Sequence, residues 1–267
     1  MSKYQDVEMG FFDHLEVLRW HIIRSLVVVL ALSVFFFVFS DFVFDKLLFG
    51  PARDSFITYR LLCSLSRKLS LSEGFCIPPF QMQFMNTELF GQFITQLKTS
   101  FLLGFVVAFP YVVFELWRFV RPALTDKEAQ AASRVIAGCS FFFFAGLLFS
   151  YFIIVPFSVN FAGNYIVSQQ IENRITLSNY ISFVTMMSLG LGIIFELPMI
   201  ALFLARIGLL SAATMRHFRR HAIVVILIVA AIITPSPDVF TQMLVAVPMY
   251  FLYELSVLVV KKVEKKT

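Results

Sequence analysis

The sequence predicts an all-α membrane protein that crosses the bilayer six times, with both termini cytoplasmic. Three observations carry that reading. First, 59% of the 267 residues are hydrophobic and only 15% are charged, against about 25% charged in soluble domains. Second, the apolar residues come in long charge-free blocks rather than amphipathic periods, which favours membrane helices over one or two soluble domains. Third, the cations segregate. Lys3, Arg19 and Arg24 precede the first block, and Arg118, Arg121, Lys127 and Arg134 lie between the second and third. Arg206, Arg216, Arg219 and Arg220 lie between the fourth and fifth, and Lys261, Lys262, Lys265 and Lys266 follow the sixth. These fifteen share one side. Only Lys46, Arg53, Arg60, Arg67, Lys68, Lys98 and Arg174 fall on the other, six of them in one long connection where the positive-inside rule is weak. The formal charge of +5 therefore reports topology, not a nucleic-acid partner.

The chain reads as one membrane domain, residues 1–267. Its first twenty residues are too polar for a signal peptide, and no A-x-A site follows the first apolar block, so that block is expected to stay as an anchor. In the N-terminal segment, residues 1–21 and the start of the span, Phe11, Leu15, Leu18 and Ile22 recur at helical spacing and form one apolar stripe, with Asp13, Glu16 and Arg19 facing elsewhere. This predicts an interfacial helix lying in the headgroup plane and running into the first span, Ser25–Ser40.

A long outer loop, residues 41–93, follows. Cys63 and Cys76 in it either form a disulfide on the oxidising side of the membrane or stay as packed thiols. Two thiols do not fill a tetrahedral metal site, and His14, His21, His217 and His221 all fall on the opposite side, so no metal is expected.

The second charge-free core is Thr99–Phe114. The loop FELWRFVRPALTDKEAQ, Phe114 to Gln130, then brings Trp117 and Phe119 to the depth of aromatic anchors, Pro122 to end the helix, and Asp126 and Glu128 as exposed acids. Acids at that surface suit a ligand with paired arginines, because a guanidinium meets a carboxylate through two parallel hydrogen bonds; an ordinary solvated loop is the plainer reading. The third core, Val135–Ile171, holds a helix plus an outer connection, with Pro156 and Asn160 marking the exit.

The fourth core, Ile175–Phe195, must run past Glu196 to about Ala205. Ten residues separate Glu196 from Arg206, which places the carboxylate roughly 15 Å deep. A charge there costs about 2.5–3.5 kcal/mol, so the group is protonated, faces a polar cavity, or is hydrogen-bonded to a neighbouring helix to hold the bundle. Pro198 kinks the helix beside it. The fifth and sixth cores, Ala222–Pro237 and Val239–Tyr253, are short and separated by the turn TPSPD. Asp238 is placed to cap the sixth helix, and Gln242 to meet another membrane helix.

No phosphate-cradling loop, H-E-x-x-H or G-x-S-x-G motif occurs, so neither an ATPase nor an intramembrane hydrolase has visible machinery. Four blocks in order instead resemble the TatC family, the multispanning core subunit of the twin-arginine translocase: FFDHLEVLR, PYVVFELWRFVRPALTDKE, SFVT…FELP and TPSPDVFTQ…VPMYFLYE. The resemblance covers nearly the whole chain. It implies six helices in a concave, glove-like bundle of the inner membrane, with no cofactor. It also implies recognition of the twin-arginine signal peptides of folded proteins, assembly with TatA- and TatB-like single-span subunits and with further copies of the chain, and export driven by the proton-motive force. Signal binding would fall to Glu128, Phe119 and the N-terminal segment with Glu16 and Arg19, Glu196 would face the concavity, and partner helices would dock around Gln242 and Asp238. One departure stands out: the family's H-L-x-E-L-R glutamate is Val17 here, and Glu16 lies about 100° away around the helix. A proton-coupled transporter of a small solute is the rival reading of Glu196, although it would lead one to expect an internal repeat, and none is evident.

Overall fold

The computed structural model describes residues 11–68, 82–120, 132–165, 168, 170, 174–234 and 239–264. Its long helices follow the apolar blocks. α1 is Phe11–Val38, without a break between the expected interfacial stripe and the span. A helical turn at Ser40–Phe42 and a π-helical segment at Val43–Leu48 lead to α2, Ile57–Lys68. α3 runs Gly91–Val120, beginning before and ending beyond the charge-free core. α4, Ala132–Phe149, passes through a π-helical turn at Ser150–Ile154 into α5, Val155–Asn164. α6 is Leu177–Ile194, α7 is Leu197–Arg206 and α8 is Ala212–His217. α9 is Arg219–Ile233 and α10 is Val239–Glu264.

Among the described residues, five helical runs are long and apolar enough to cross a membrane: His14–Val38, Gly91–Val120, Val135–Asn164, Leu177–Arg206 and Val239–Glu264. The remaining crossing, the fifth in chain order, is α9, which has 15 residues, about 22 Å of helix against a hydrocarbon thickness of about 30 Å. It is short, as its sequence indicates. Its Gln242 contact, described below, and its packing against α10 fix its position within the bundle.

The helix ends obey local chemistry. Thr176 caps α6 by accepting from Asn179 N at 3.4 Å, and Ser211 caps α8 by accepting from Thr214 N at 3.0 Å. α7 stops in a Schellman turn. Gly208 takes φ 76°, its N–H bonds Ala205 O at 3.1 Å, and Leu209 N bonds Leu204 O at 3.0 Å. Only glycine adopts that left-handed conformation without strain.

Pro156 does not mark an exit; the helical run continues to Asn164. A proline offers no N–H to the carbonyl four residues back, which is Phe152. The preceding π turn loosens the ladder at this point, and the Thr58 hydroxyl donates to Phe152 O at 2.6 Å.

The described residues fall into two units, Met1–Val38 with Ser100–Ser140, and Phe39–Thr99 with Phe141–Thr267. In the first, α1 and α3 run antiparallel and touch at Gly104, where a Cβ would lie 2.7 Å from Ser33 N and 2.8 Å from Val29 O. Backbones approach this closely only over small residues. In the second, α7, α8 and α10 enclose Ala201, Ala212, Met215, Val257 and Val260.

One end of the second unit is tied by tyrosines. Tyr180 donates to Leu48 O at 2.7 Å, Tyr151 donates to Leu47 O, and the Tyr59 hydroxyl lies 2.9 Å from both Pro51 O and Pro156 O. Burial raises the Tyr59 pKa well above the ordinary tyrosine value. Two short strands, β1 (Phe84–Met85) and β2 (Ile175–Thr176), pair in parallel. Their Phe84 ring stacks on Phe49 at 5.0 Å and tilts against Tyr180 at 4.6 Å. Cys63, on α2, is disulfide-bonded, whereas Cys139 is outside any disulfide; Cys76 lies outside the described residues.

Candidate functional site

The C-terminal turns of α3 carry Tyr111, Glu115 and Phe119, spaced four apart and so aligned on one face. On α1, His14 and His21 are seven apart and likewise share a face. The two stripes meet. His21 Nδ1 lies 2.5 Å from Glu115 Oε2. An ionised carboxylate only accepts, so Nδ1 carries the hydrogen. Arg118 Nη1 stands 3.4 Å from Oε1 of the same carboxylate. Glu115 is 1% exposed, so the cluster meets the requirement that a buried charge be paired.

Phe119 completes the arrangement. Its ring stacks on His14 with centroids 4.4 Å apart and planes at 27°, and it meets His21 edge-on at 6.3 Å. Arg118 extends outward over the Phe114 ring at 5.6 Å, within cation–π range. The result is an aromatic ring clamped by two imidazoles, directly above a closed hydrogen-bonded pair.

Of the residues singled out from sequence for signal binding, the structure brings Phe119 into this cluster. Glu16 and Arg19 are exposed on α1. Glu16 is two positions past His14, about 200° around the helix and thus turned away from α3. Glu128 lies outside the described residues. Sequence reasoning missed Glu115 and His21. Ending the second span at Phe114 made Glu115 a loop residue, yet it sits inside α3 and is buried. A carboxylate continuous with an apolar helix was the available signal.

Glu196 occupies the break between α6 and α7, where Pro198 stands at the second position of α7. Its carbonyl accepts from Met199 N and Ile200 N, each at 2.9 Å, restarting the helix. The residue is 8% exposed, so the carboxylate is taken up by protein rather than offered to lipid. Behind it, Gly146 lets α4 approach so closely that a Cβ would lie 2.6 Å from Phe195 Cγ and 2.7 Å from Leu191 O.

Gln242 on α10 donates through Nε2 to Leu227 O of α9 at 3.0 Å, so its carboxamide already bonds within the chain. Asp238 lies outside the described residues. Nearer the far end of α10, Glu254 accepts from Arg219 at 2.7 Å and from the Tyr250 hydroxyl at 3.2 Å. Glu264 accepts from Ala212 N at 2.7 Å, at the start of α8.

Repeated crossings, a helix break beside Pro198 and carboxylates held inside apolar helices together define a polytopic membrane protein that keeps carboxyl groups within its spans. The comparisons narrow the class. The family profile of Sec-independent protein translocase protein (TatC) matches residues 13–248. The TatC protein of Blattabacterium sp. subsp. Periplaneta americana is 36% identical over 99% of each chain. That of Desulforapulum autotrophicum is 33% identical over 100% of this chain and 89% of its own. TatCy of Bacillus subtilis is 30% identical over 100% of this chain and 94% of its own. Two crystal structures of the twin-arginine translocase receptor TatC superpose with TM-scores of 0.69 and 0.73. They are 28% and 29% identical to the chain, cover 93% and 92% of it, and are each covered over 98% of their own length. The chain belongs to the TatC family and is a multi-pass membrane component of Sec-independent protein translocation.

Proposed function

We propose that the chain is the receptor and scaffold subunit of a twin-arginine translocase, with both termini on the cytoplasmic side. It binds the twin-arginine signal peptides of folded proteins near the C-terminal end of α3. It assembles with TatA- and TatB-like single-span subunits and further copies of itself, and export draws on the proton-motive force. The observation that supports this most directly is Phe119, clamped between His14 and His21 a few residues before the acidic segment Asp126–Glu128. An aromatic surface followed in the sequence by carboxylates suits a peptide carrying two guanidiniums and an apolar stretch, because arginine both stacks on rings and pairs bidentately with carboxylates. Glu128 is the intended partner of an arginine. Glu196 supplies a polar group deep in the second unit for the inserted signal or a partner helix, and the α9–α10 pair near Gln242 and Asp238 is the partner-docking region.

The test is retention of the detergent-solubilised protein on an immobilised twin-arginine signal peptide, with a twin-lysine peptide as control. Each lost charged hydrogen bond is worth about 1.5–3 kcal/mol, so Glu128→Lys is expected to cut retention about tenfold or more. Equal retention on both peptides, unaltered by Glu128→Lys, would remove the reading.

A further inference from the structure

We propose that Glu115 and His21 are positioning residues for signal-peptide recognition. Their buried pair fixes the rotation and height of α1 against α3, so that His14 and His21 hold the Phe119 ring in one orientation. This rests on the reading above, in which Phe119 meets the peptide.

The geometry makes the pair a clasp rather than a second binding acid. The Glu115 side chain is 2% exposed, and both of its oxygens already face donors, Oε2 to His21 and Oε1 towards Arg118. No guanidinium from outside can reach it without dismantling the pair. Nor is the pair redundant with other packing. Only 6% of the apolar stretch of α1 is buried, and Leu26, Val27, Leu30, Val34 and Val38 are all exposed. The contact at Gly104 and Ser33 is a smooth crossing of small residues. Such a crossing brings helices close but allows them to slide or roll, because it contains no directional bond. A buried hydrogen bond to a carboxylate is directional, and setting register is the best-attested use of such buried polar pairs.

The spacing transmits this constraint to the ring. Glu115 and Phe119 are one turn apart on α3, whereas His21 and His14 are two turns apart on α1. The antiparallel helices therefore carry one lock at Glu115–His21 and one ring contact at Phe119–His14. Rolling α1 by one residue, about 100°, would carry both imidazoles off the ring together. His21 belongs to both contacts: it holds Glu115 and presents its edge to Phe119 at 6.3 Å.

The experiment uses the full chain in detergent, with a fluorinated phenylalanine at position 119 for fluorine NMR and a labelled twin-arginine peptide for binding. Glu115→Ala and His21→Ala are expected to shift and broaden the fluorine signal without any peptide present. Glu115→Gln, whose carboxamide oxygen still accepts from His21, is expected to keep the wild-type signal. Peptide affinity is expected to fall about tenfold in each alanine variant, to stay within about twofold in Glu115→Gln, and to fall no further when Glu115→Ala is added to Phe119→Ala. A fluorine signal unchanged in Glu115→Ala overturns the proposal, as does an affinity loss that adds fully to that of Phe119→Ala. If the wild-type chain does not distinguish twin-arginine from twin-lysine peptide, the recognition reading fails, while the fluorine signal still decides whether the pair orients the ring.

Discussion

Replacing Gly104 by alanine should part α1 from α3. The added Cβ would stand 2.7 Å from Ser33 N and 2.8 Å from Val29 O, where ordinary contact begins at 3.4 Å. Both atoms are backbone and cannot rotate away, so the helices must separate by about 0.7 Å. A gap of that size forfeits roughly a quarter to a half of each contact's dispersion energy. Overpacking of this kind costs about 1–3 kcal/mol. At about 2 kcal/mol, melting should fall by roughly 4–8 °C in a chain of this size. Thermal unfolding of the purified protein in detergent provides the measurement. The companion Ser33→Ala removes the Oγ overlap at 2.4 Å but neither backbone overlap. Gly104→Ala combined with Ser33→Ala should therefore remain destabilised. Melting of Gly104→Ala within 1 °C of wild type, or full recovery in the double variant, would refute the close-crossing argument.

Three further outcomes are expected. Gly146→Ala drives a methyl into Phe195 Cγ and Leu191 O, so it should disturb the α6–α7 break at Glu196 and reduce export of a twin-arginine substrate, read by cell fractionation. Tyr59→Phe removes the hydroxyl shared by Pro51 O and Pro156 O and should cost about 1–2 kcal/mol in detergent unfolding. Because burial raises that hydroxyl's pKa, its contribution is present below about pH 10 and is lost as pH rises through the higher folded-state value. Glu264→Ala removes the acceptor for Ala212 N, at about 1 kcal/mol, and should speed amide exchange through residues 212–217.

What the sequence made legible follows the range of each interaction. The apolar blocks, the kink beside Pro198 and the short fifth crossing depend on composition and on residues a few positions apart, and they could be read directly. The clasp could not, because His21 and Glu115 are 94 positions apart and neither looks unusual alone. Pro156 was misread as an exit for a similar reason: its tolerance inside a helix depends on a π turn and on Thr58, which comes from a distant part of the chain. Phe119 was visible as an interfacial aromatic, but the imidazoles that hold it were set aside once they could not form a metal site. Gln242 was read as a contact for another membrane helix, and only the folded chain shows that α9, through Leu227 O, takes its hydrogen bond.

The hydroxyl ties at the Tyr59–Tyr180 end of the second unit imply an order of assembly. Thr58 reaches Phe152 across 94 positions, Tyr59 reaches Pro156 across 97, Tyr151 reaches Leu47 across 104, and Tyr180 reaches Leu48 across 132. During synthesis the early half of each tie emerges first and waits, its polar backbone solvated, until the later helices have been threaded through the bilayer. Closing such long loops comes late in folding. Closure of this rim thus comes last: a chain stalled after its second crossing holds only the early half of each tie, the Leu47 and Leu48 carbonyls and the Thr58 and Tyr59 hydroxyls, and lacks Tyr151, Phe152, Pro156 and Tyr180.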